Sequence, residues 1–229
     1  MKSLKEPAVT PLIHIIRHGE SLHNVCRRYP HRDPPLTDAG QEATKKITIT
    51  AVPDLVIVSP MTRTIQTAMN AFPAITSSHT ARPEVQVWPD LREAHNAVSC
   101  KGVSRRELSA KFPPFDFSDC PEEWDHPPHT AKGATARAEI VRQRLKELSE
   151  TYKNIALVTH RGFIAFLAPG DRFEVCETRS YRFGTGEETE MLRLGVNVDT
   201  NEMQDFGPTI LVPVETVGAR GDLKAILKQ

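Results

Sequence analysis

The stretch Leu12-Ile13-His14-Ile15-Ile16, followed directly by Arg17-His18-Gly19, decides the fold of this chain. A continuous apolar run of this kind is typical of a strand that is covered on both faces of a sheet. Leu55-Val56-Ile57-Val58 and Ile155-Ala156-Leu157-Val158 have the same character, and each is also followed by polar residues. Helical patterns fill the gaps between these runs. The sequence therefore predicts an α/β fold, a three-layer α/β/α sandwich with a mostly parallel central sheet.

Three segments carry the clearest helical signals. Thr37 is suited to cap a helix that begins with polar residues. A second helix is expected from Met61 to Phe72, directly after the second apolar run. A third is expected to run to about Tyr152, because its apolar residues step by three or four positions along one face. These residues are Ala134, Ala138, Val141, Leu145 and Leu148. The polar stretch from Asp199 to Gly207 is predicted to be a surface turn.

The 229 residues are 39% hydrophobic and 25% charged, which suits one globular domain over residues 1–229. Pro113 to His129 contains five of the 18 prolines and is predicted to be a loop. We see two interpretations of this insertion, around residues 113–130. It is either a packed surface excursion or a lid over a binding site, since long ordered loops in compact domains are often functional.

The charge balance limits the class of ligand. Lys and Arg number 29 and Asp and Glu also number 29, so the formal net charge is zero. A general nucleic-acid binder would carry a basic surplus, and nucleic acid is therefore not expected as a partner. No apolar run approaches the ~18–20 residues of a membrane span, and the charged, proline-broken start does not resemble a signal peptide. Four scattered cysteines suggest reduced thiols in a cytoplasmic protein, and a homodimer stays open.

The ends of the three apolar runs indicate where a ligand binds, because open α/β sheets bind ligands at the carboxyl ends of their strands. In Arg17-His18-Gly19, glycine permits a tight turn and the close approach of a ligand. Arginine supplies a forked cationic donor, and the start of the next helix offers free N–H groups that suit an anion. A neutral imidazole placed there can act as a nucleophile.

Three further segments supply reactive groups in similar positions. Ser59-Pro60-Met61-Thr62-Arg63 places an arginine on the first turn after the second run. Leu91-Arg92-Glu93 places a carboxylate after a short strand-like segment, Val85-Gln86-Val87-Trp88. Thr159-His160-Arg161-Gly162 repeats the order of strand, histidine and glycine at the third run.

Together these motifs resemble those of the histidine phosphatase superfamily, also called phosphoglycerate mutase-like. The Arg-His-Gly, Ser-Pro-x-x-Arg, Leu-x-Glu and late Thr-His motifs occur in the family's order, and Asp33-Pro34-Pro35-Leu36-Thr37 through Gly40 also fits its pattern. The resemblance runs from about Leu12 to Phe183. The tract from Cys176 to Phe183 and the pair His23-Asn24 are most similar to members from filamentous fungi.

The resemblance implies a role for each matching residue. His18 would be the nucleophile that forms a phosphohistidine, and Glu93 would protonate the leaving oxygen and then activate water. His160 completes the implied catalytic set. The residues implied to bind the phosphoryl group are Arg17, Arg63, His160 and Asn24. The family chemistry requires no metal and no cofactor, because arginines and imidazoles supply the positive charge.

The branch with a mid-chain catalytic glutamate fits better than the acid-phosphatase and phytase branch, because Arg-His-Gly continues as Glu20-Ser21-Leu22 and no His-Asp pair occurs at His160. The segment Glu93-Ala94-His95-Asn96 departs from the Glu-Arg-His-Tyr-Gly of the mutases. Arg161 also departs from the small residue common in the family, and we expect it either to be solvated or to contact a second anionic group of the substrate.

The sequence therefore predicts a metal-independent phosphatase acting on a small phosphorylated, anionic metabolite. One alternative is a non-hydrolytic acid/base enzyme of secondary metabolism that holds a carboxylated substrate in the same pocket. A phosphoglycerate-type mutase and a binding protein with an inactive site are weaker alternatives.

Overall fold

The computed structural model describes residues 10–26, 28–77, 82–125 and 129–214. A six-stranded sheet runs through the centre, in the order β3-β2-β4-β1-β5-β8. Pairing is parallel between β1 and β4, β2 and β4, and β2 and β3, whereas β5 pairs antiparallel with both β1 and β8. The strands are β1 (Leu12–Arg17), β2 (Leu55–Val58), β3 (Glu84–Val87), β4 (Asn154–Thr159), β5 (Thr178–Phe183), β6 (Leu194–Val196), β7 (Met203–Asp205) and β8 (Leu211–Pro213).

Seven α-helices are seen in the described ranges. They are α1 (Leu22–Val25), α2 (Asp38–Thr44), α3 (Thr62–Ala71), α4 (Arg105–Lys111), α5 (Ala131–Leu148), α6 (Arg161–Leu167) and α7 (Gly186–Leu192). Short 3₁₀ turns occupy Pro73–Thr76, Pro89–Leu91 and Val98–Cys100. Thr37 caps α2 as predicted, since its hydroxyl accepts from Gly40 N at 2.9 Å. Helix α5 ends at Leu148, one turn before the predicted end near Tyr152.

The central strands bury side chains on both faces, which explains why their sequences are continuously apolar. In β1, Ile13 and Ile15 pack with α5 and α6 on one face, while Ile16 packs with α3 and α4 on the other. The strands β2 and β4 alternate in the same way. Helices therefore cover both faces of a mostly parallel sheet, and the predicted α/β sandwich is confirmed.

The proline-rich segment packs against the second of these faces up to the end of its described part. Phe115, Phe117 and Trp124 are buried there, and Trp124 Nε1 donates to Val103 O at 2.8 Å. Asp125 Oδ2 accepts from Gly102 N at 2.9 Å. Residues 126–128 lie outside the described residues, so the role of the whole insertion as a lid stays a prediction.

One predicted element is wrong. The stretch from Asp199 to Gly207 contains strand β7, which pairs with β6 in a separate two-stranded sheet. Its pattern is inverted with respect to an ordinary strand, because Gln204 is buried whereas Met203 is exposed. Gln204 is satisfied inside by Asn197 and by the carbonyl of Phe166. Polar residues therefore hold this hairpin against the end of α6.

Within the described ranges, no helix combines the length and apolarity that a membrane crossing requires.

Candidate active site

The order of the central strands brings three sequence motifs together. β4 lies between β1 and β2, and all three strands run in the same direction. Their carboxyl ends consequently deliver His18, Ser59 and His160 to one edge of the sheet. The rings of His18 and His160 lie 5.2 Å apart, centroid to centroid. The two histidines that were predicted from separate motifs therefore share one site.

The orientation of His18 defines which ring nitrogen can react. Nδ1 lies 2.7 Å from the carbonyl oxygen of Gly19, which can only accept, so Nδ1 carries the proton. Nε2 then carries the lone pair, and Arg63 Nε donates to it at 3.3 Å. The side chain is almost completely buried. Burial and the neighbouring charge of Arg63 lower the pKa of His18 well below its usual value, so the ring is neutral.

The turn that carries His18 is held from behind. Gly19 N donates to Thr67 Oγ1 of α3 at 3.0 Å. A Cβ atom on Gly19 would lie 2.4 Å from Thr44 Cγ2 of α2, so only glycine allows α2 to pack this closely. The glycine of the Arg-His-Gly motif thus fixes the turn that carries His18 against α2 and α3.

Arg63 enters the site from the first turn of α3, and Asp33 fixes the start of that helix. The Asp33 carboxylate accepts from Thr62 N at 2.7 Å and from Thr62 Oγ1 at 2.6 Å. Asp33 has a left-handed backbone, with φ of 47°, and its N–H donates to Lys101 O. Arg63 is fully buried, and its Nη1 donates to Ser99 O at 3.2 Å. The Asp-Pro-Pro segment therefore supports Arg63.

His160 is the N-cap residue of α6 and is fully buried. Its Nε2 lies 2.9 Å from Ser59 Oγ. Burial, followed by the charge of Arg63, lowers the pKa of His160 well below its usual value. This ring is also neutral, and the serine of the Ser-Pro motif sets its orientation.

Arg17 completes the cluster of basic groups. It is buried, and its Nη1 donates to Phe173 O at 2.7 Å. Three buried nitrogen atoms of the cluster have no hydrogen-bond partner in the described part of the chain: Arg17 Nε, Arg63 Nη2 and His160 Nδ1. Buried donors of this kind are costly unless they are paired. An anion with several acceptor oxygens would satisfy them together.

Glu93 is buried and lies beside the start of α6. Its Oε1 accepts from Ala94 N at 2.7 Å, and a Cβ atom on Gly162 would come within 2.3 Å of that oxygen. Arg137 of α5 holds the Glu93 segment, since its guanidinium donates to the carbonyls of Asp90, Arg92 and Glu93. Burial lowers the pKa of Arg137 to about 9. The absence of a side chain at Gly162 thus makes room for the carboxyl group of Glu93.

Two residues of the site were not found from the sequence as functional candidates. His95 Nε2 donates to Asp199 Oδ2 at 2.6 Å, and His95 Nδ1 lies 4.0 Å from Glu93 Oε2. The hydrogen bond to Asp199 raises the pKa of His95. Asp199 belongs to the stretch that was predicted to be a solvated turn, and no motif marks it.

The remaining predicted residues lie at the rim. Asn24 is exposed, and its Oδ1 accepts from Ser21 N at 2.9 Å, which makes it part of a capping box of α1. His23 Nδ1 lies 2.6 Å from Ser21 Oγ, and its ring centroid lies 5.8 Å from that of His18. Arg161 is half-buried and makes no hydrogen bond or ion pair with any described residue. Burial lowers the pKa of Arg17, and the charge of Arg161 lowers it further.

Among the residues that the structure places, no group of three or more His, Cys, Asp or Glu side chains could hold a metal ion. The positive charges beside His18 are those of Arg17 and Arg63, whereas His18 and His160 are neutral.

Comparison with known proteins gives the same family as the motifs. A relative from Schizosaccharomyces pombe, a probable phosphatase, is 28% identical over 167 residues, which cover 65% of this chain and 73% of the relative. A phosphoglycerate mutase-like protein of Arabidopsis thaliana is 27% identical over 210 residues, covering 72% and 76%. Among solved structures, a putative α-ribazole-5′-P phosphatase of Escherichia coli superposes with a TM-score of 0.54. It is 19% identical, with 76% of this chain and 92% of that chain covered.

The model of the histidine phosphatase superfamily, branch 1, matches residues 13–180, which is more than half of the chain. The matched range contains Arg17-His18-Gly19, Arg63, Glu93 and His160, whereas Asp199 lies beyond it. The chain belongs to branch 1 of the histidine phosphatase superfamily and is an enzyme of the phosphatase type.

Proposed function

We propose that this protein hydrolyses a small phosphorylated metabolite through a phosphohistidine on His18, without a metal ion. The observation that carries the proposal is the fixed tautomer of His18. Its Nδ1 proton is held by Gly19 O, and its Nε2 lone pair is directed into the cluster formed by Arg17, Arg63 and His160. A neutral buried imidazole among cations is suited to attack an anionic electrophile.

The first half of the reaction transfers the phosphoryl group to the enzyme. His18 Nε2 forms a bond to phosphorus while the bond from phosphorus to the leaving oxygen breaks. Arg17, Arg63 and His160 stabilise the charge that spreads over the phosphoryl oxygens. Glu93, in its protonated form, gives its proton to the leaving oxygen, and the alcohol departs.

The second half releases phosphate. The Glu93 carboxylate now accepts a proton from water, and the water oxygen forms a bond to phosphorus as the bond to His18 Nε2 breaks. His18 returns to its neutral form and Glu93 returns to its protonated form. The protons and charges therefore balance over one turnover without a metal ion or cofactor.

The substrate is expected to be small, because the side chains proposed to face the phosphoryl group form one compact cluster in a molecule of zero net charge. In this proposal, Arg161 contacts a second anionic group of the substrate and Asn24 contacts a phosphoryl oxygen from the rim. Hydrolysis fits better than mutase chemistry, because Ala94 and Asn96 replace the larger residues of the mutase segment next to Glu93.

The test is phosphate release from a panel of sugar phosphates, phosphoamino acids, nucleotides and aryl phosphates, with a chelator present throughout. We expect wild-type activity to persist in the chelator and to be inhibited by vanadate. His18→Asn should reduce kcat/KM at least about 1,000-fold, because both the nucleophile and the covalent route are lost. Lys146→Glu, on the outer surface of α5, serves as a control that should keep full activity. Substantial hydrolysis by His18→Asn would contradict the proposal.

A further inference from the structure

His95 lies between two carboxylate side chains at the edge of the site. Its Nε2 donates to Asp199 Oδ2 at 2.6 Å, and its Nδ1 lies 4.0 Å from Glu93 Oε2. Glu93 Oε1 already accepts from Ala94 N, so Oε2 is the oxygen that remains to carry a transferable proton. The three side chains therefore form a row, from Asp199 through His95 to the free oxygen of Glu93.

The turn that carries Asp199 is held by side-chain hydrogen bonds. Asn197 is almost fully buried, and its Oδ1 accepts from Asp199 N at 2.8 Å and from Thr200 N at 3.1 Å. Its Nδ2 donates to Gln204 Oε1 at 2.7 Å, and Gln204 Nε2 donates to Phe166 O of α6 at 2.8 Å. A buried amide network thus ties the turn between β6 and β7 to the helix that begins at the active site.

Helix α6 also packs against Glu93 and His95, through Gly162. A Cβ atom on Gly162 would lie 2.3 Å from Glu93 Oε1 and 2.8 Å from His95 Cε1. The side chains of Glu93 and His95 therefore both pack against the backbone of Gly162. The side chain of Asp199 is 12% exposed and that of His95 is 42% exposed, so the pair lines the open edge of the pocket.

We propose that Asp199 and His95 act as a positioning pair for Glu93, which holds the free carboxyl oxygen of Glu93 in place for proton transfer to the leaving group. The inference rests on the proposed function. Asp199 accepts the proton on His95 Nε2 in a hydrogen bond, which leaves the lone pair on Nδ1 directed toward Glu93 Oε2, and this lone pair holds the protonated oxygen in place. Arg161 and Arg172 are the other charged groups that act on this pair.

The test uses two substrates of similar shape whose leaving groups differ in basicity. Phenolate is a strong base and needs a proton as it leaves phenyl phosphate, whereas p-nitrophenolate leaves p-nitrophenyl phosphate readily without one. For Asp199→Asn we expect kcat/KM to fall about tenfold with phenyl phosphate and less than about twofold with p-nitrophenyl phosphate. Asparagine has nearly the same size as aspartate, and Asn197 holds the turn independently of this side chain, so the variant should fold.

Asp205→Asn is the matched control, because it makes the same chemical change on strand β7 and removes a surface ion pair with Arg193. It should leave the ratio of the two kcat/KM values unchanged. Equal losses on both substrates in Asp199→Asn, or no loss on either, would overturn the positioning role. His18→Asn assayed in parallel should be inactive with both substrates. Activity in that variant would instead count against the proposed function.

Discussion

The reactivity of this site is set at the scale of single side chains, by burial of histidine among arginines. His18 and His160 both have a pKa well below the usual value because burial disfavours the imidazolium and Arg63 adds repulsion. One nitrogen of each neutral ring is hydrogen-bonded: His18 Nδ1 to Gly19 O, and His160 Nε2 to Ser59 Oγ. In the proposed mechanism, His18 therefore does not have to lose a proton at neutral pH before it attacks phosphorus.

Single residues were predictable where a motif placed them directly after a strand. Arg17, His18, Arg63, Glu93 and His160 all follow strand-like runs, and the structure brings them to one edge of the sheet. Asp199 could not be found in this way. It lies about a hundred residues from its partner His95, and a lone aspartate in a polar stretch carries no local signal.

Arg161 provides a prediction at this scale. Its side chain has no partner in the described ranges, and its charge is felt by Arg17 and Asp199. Arg161→Glu should raise KM about tenfold for 4-carboxyphenyl phosphate and about threefold or less for phenyl phosphate, because only the first substrate has a second anionic group. Lys146→Glu makes the same charge change at the far end of α5 and should alter neither KM. Equal increases for the two substrates would remove the case for a second anion contact.

At the scale of elements, the site depends on three strands that end together and on helices that begin there. The strands β1, β2 and β4 were predictable because their runs are long, apolar and buried on both faces. Strands β6, β7 and β8 each have three residues, too few to give a periodic pattern. In β7 the buried residue is polar and the exposed one is apolar, so its pattern favoured a turn.

The close packing at the start of α6 can be tested by adding a methyl group at Gly162. Gly162→Ala should lower kcat/KM at least about tenfold, since the added methyl group must displace Glu93 or His95. The cost in stability should be about 1–3 kcal/mol, which is typical of overpacking. Gly186→Ala is the matched control at the start of α7, where an added Cβ meets nothing within 4 Å. It should keep full activity and unfold at the same urea concentration or slightly higher. An active Gly162→Ala variant would show that the close contact is not needed.

At the scale of the whole molecule, the balanced charge of the sequence is compatible with an anionic substrate. Arg17, Arg63 and His160 come from β1, α3 and the start of α6, so their meeting in one site does not appear in the composition. The fold as a whole was predictable because strands and helices alternate along the chain. The pairing of β5 with β1 was not predictable, because it joins segments that are distant in sequence. The second sheet was missed for another reason, since its strands β6 and β7 have only three residues each.

Buried histidines predict how the stability of the molecule depends on pH. His14, His18 and His160 are fully or almost fully buried, and burial lowers the pKa of each. Below about pH 6.5 the unfolded chain binds protons that the folded chain does not, so stability falls as pH decreases. His95 has the opposite effect, because the hydrogen bond to Asp199 raises its pKa. It therefore stabilises the fold at low pH and loses that effect as pH rises.

Urea unfolding at pH 7.5, 6.5 and 5.5 measures this effect. The free energy of unfolding should fall between pH 6.5 and 5.5 by at most about 1.4 kcal/mol for each of the three histidines. His14 lies outside the active site. His14→Gln should reduce the dependence of the free energy of unfolding on pH by the contribution of one histidine, at most about 1.4 kcal/mol per pH unit. A free energy of unfolding that stays constant or increases over this interval would contradict the neutral, buried state of these rings.

The proposed mechanism requires that His18 carries the phosphoryl group during turnover. The most direct measurement is rapid acid-free quenching of the enzyme during hydrolysis of p-nitrophenyl phosphate, followed by mass spectrometry of its peptides at alkaline pH. We predict one added phosphoryl group on His18, stable to alkali and lost in acid, that is absent when substrate is omitted. A phosphoryl group on another residue, or steady turnover with no modified His18 in the wild type and in Glu93→Gln, would contradict the claim.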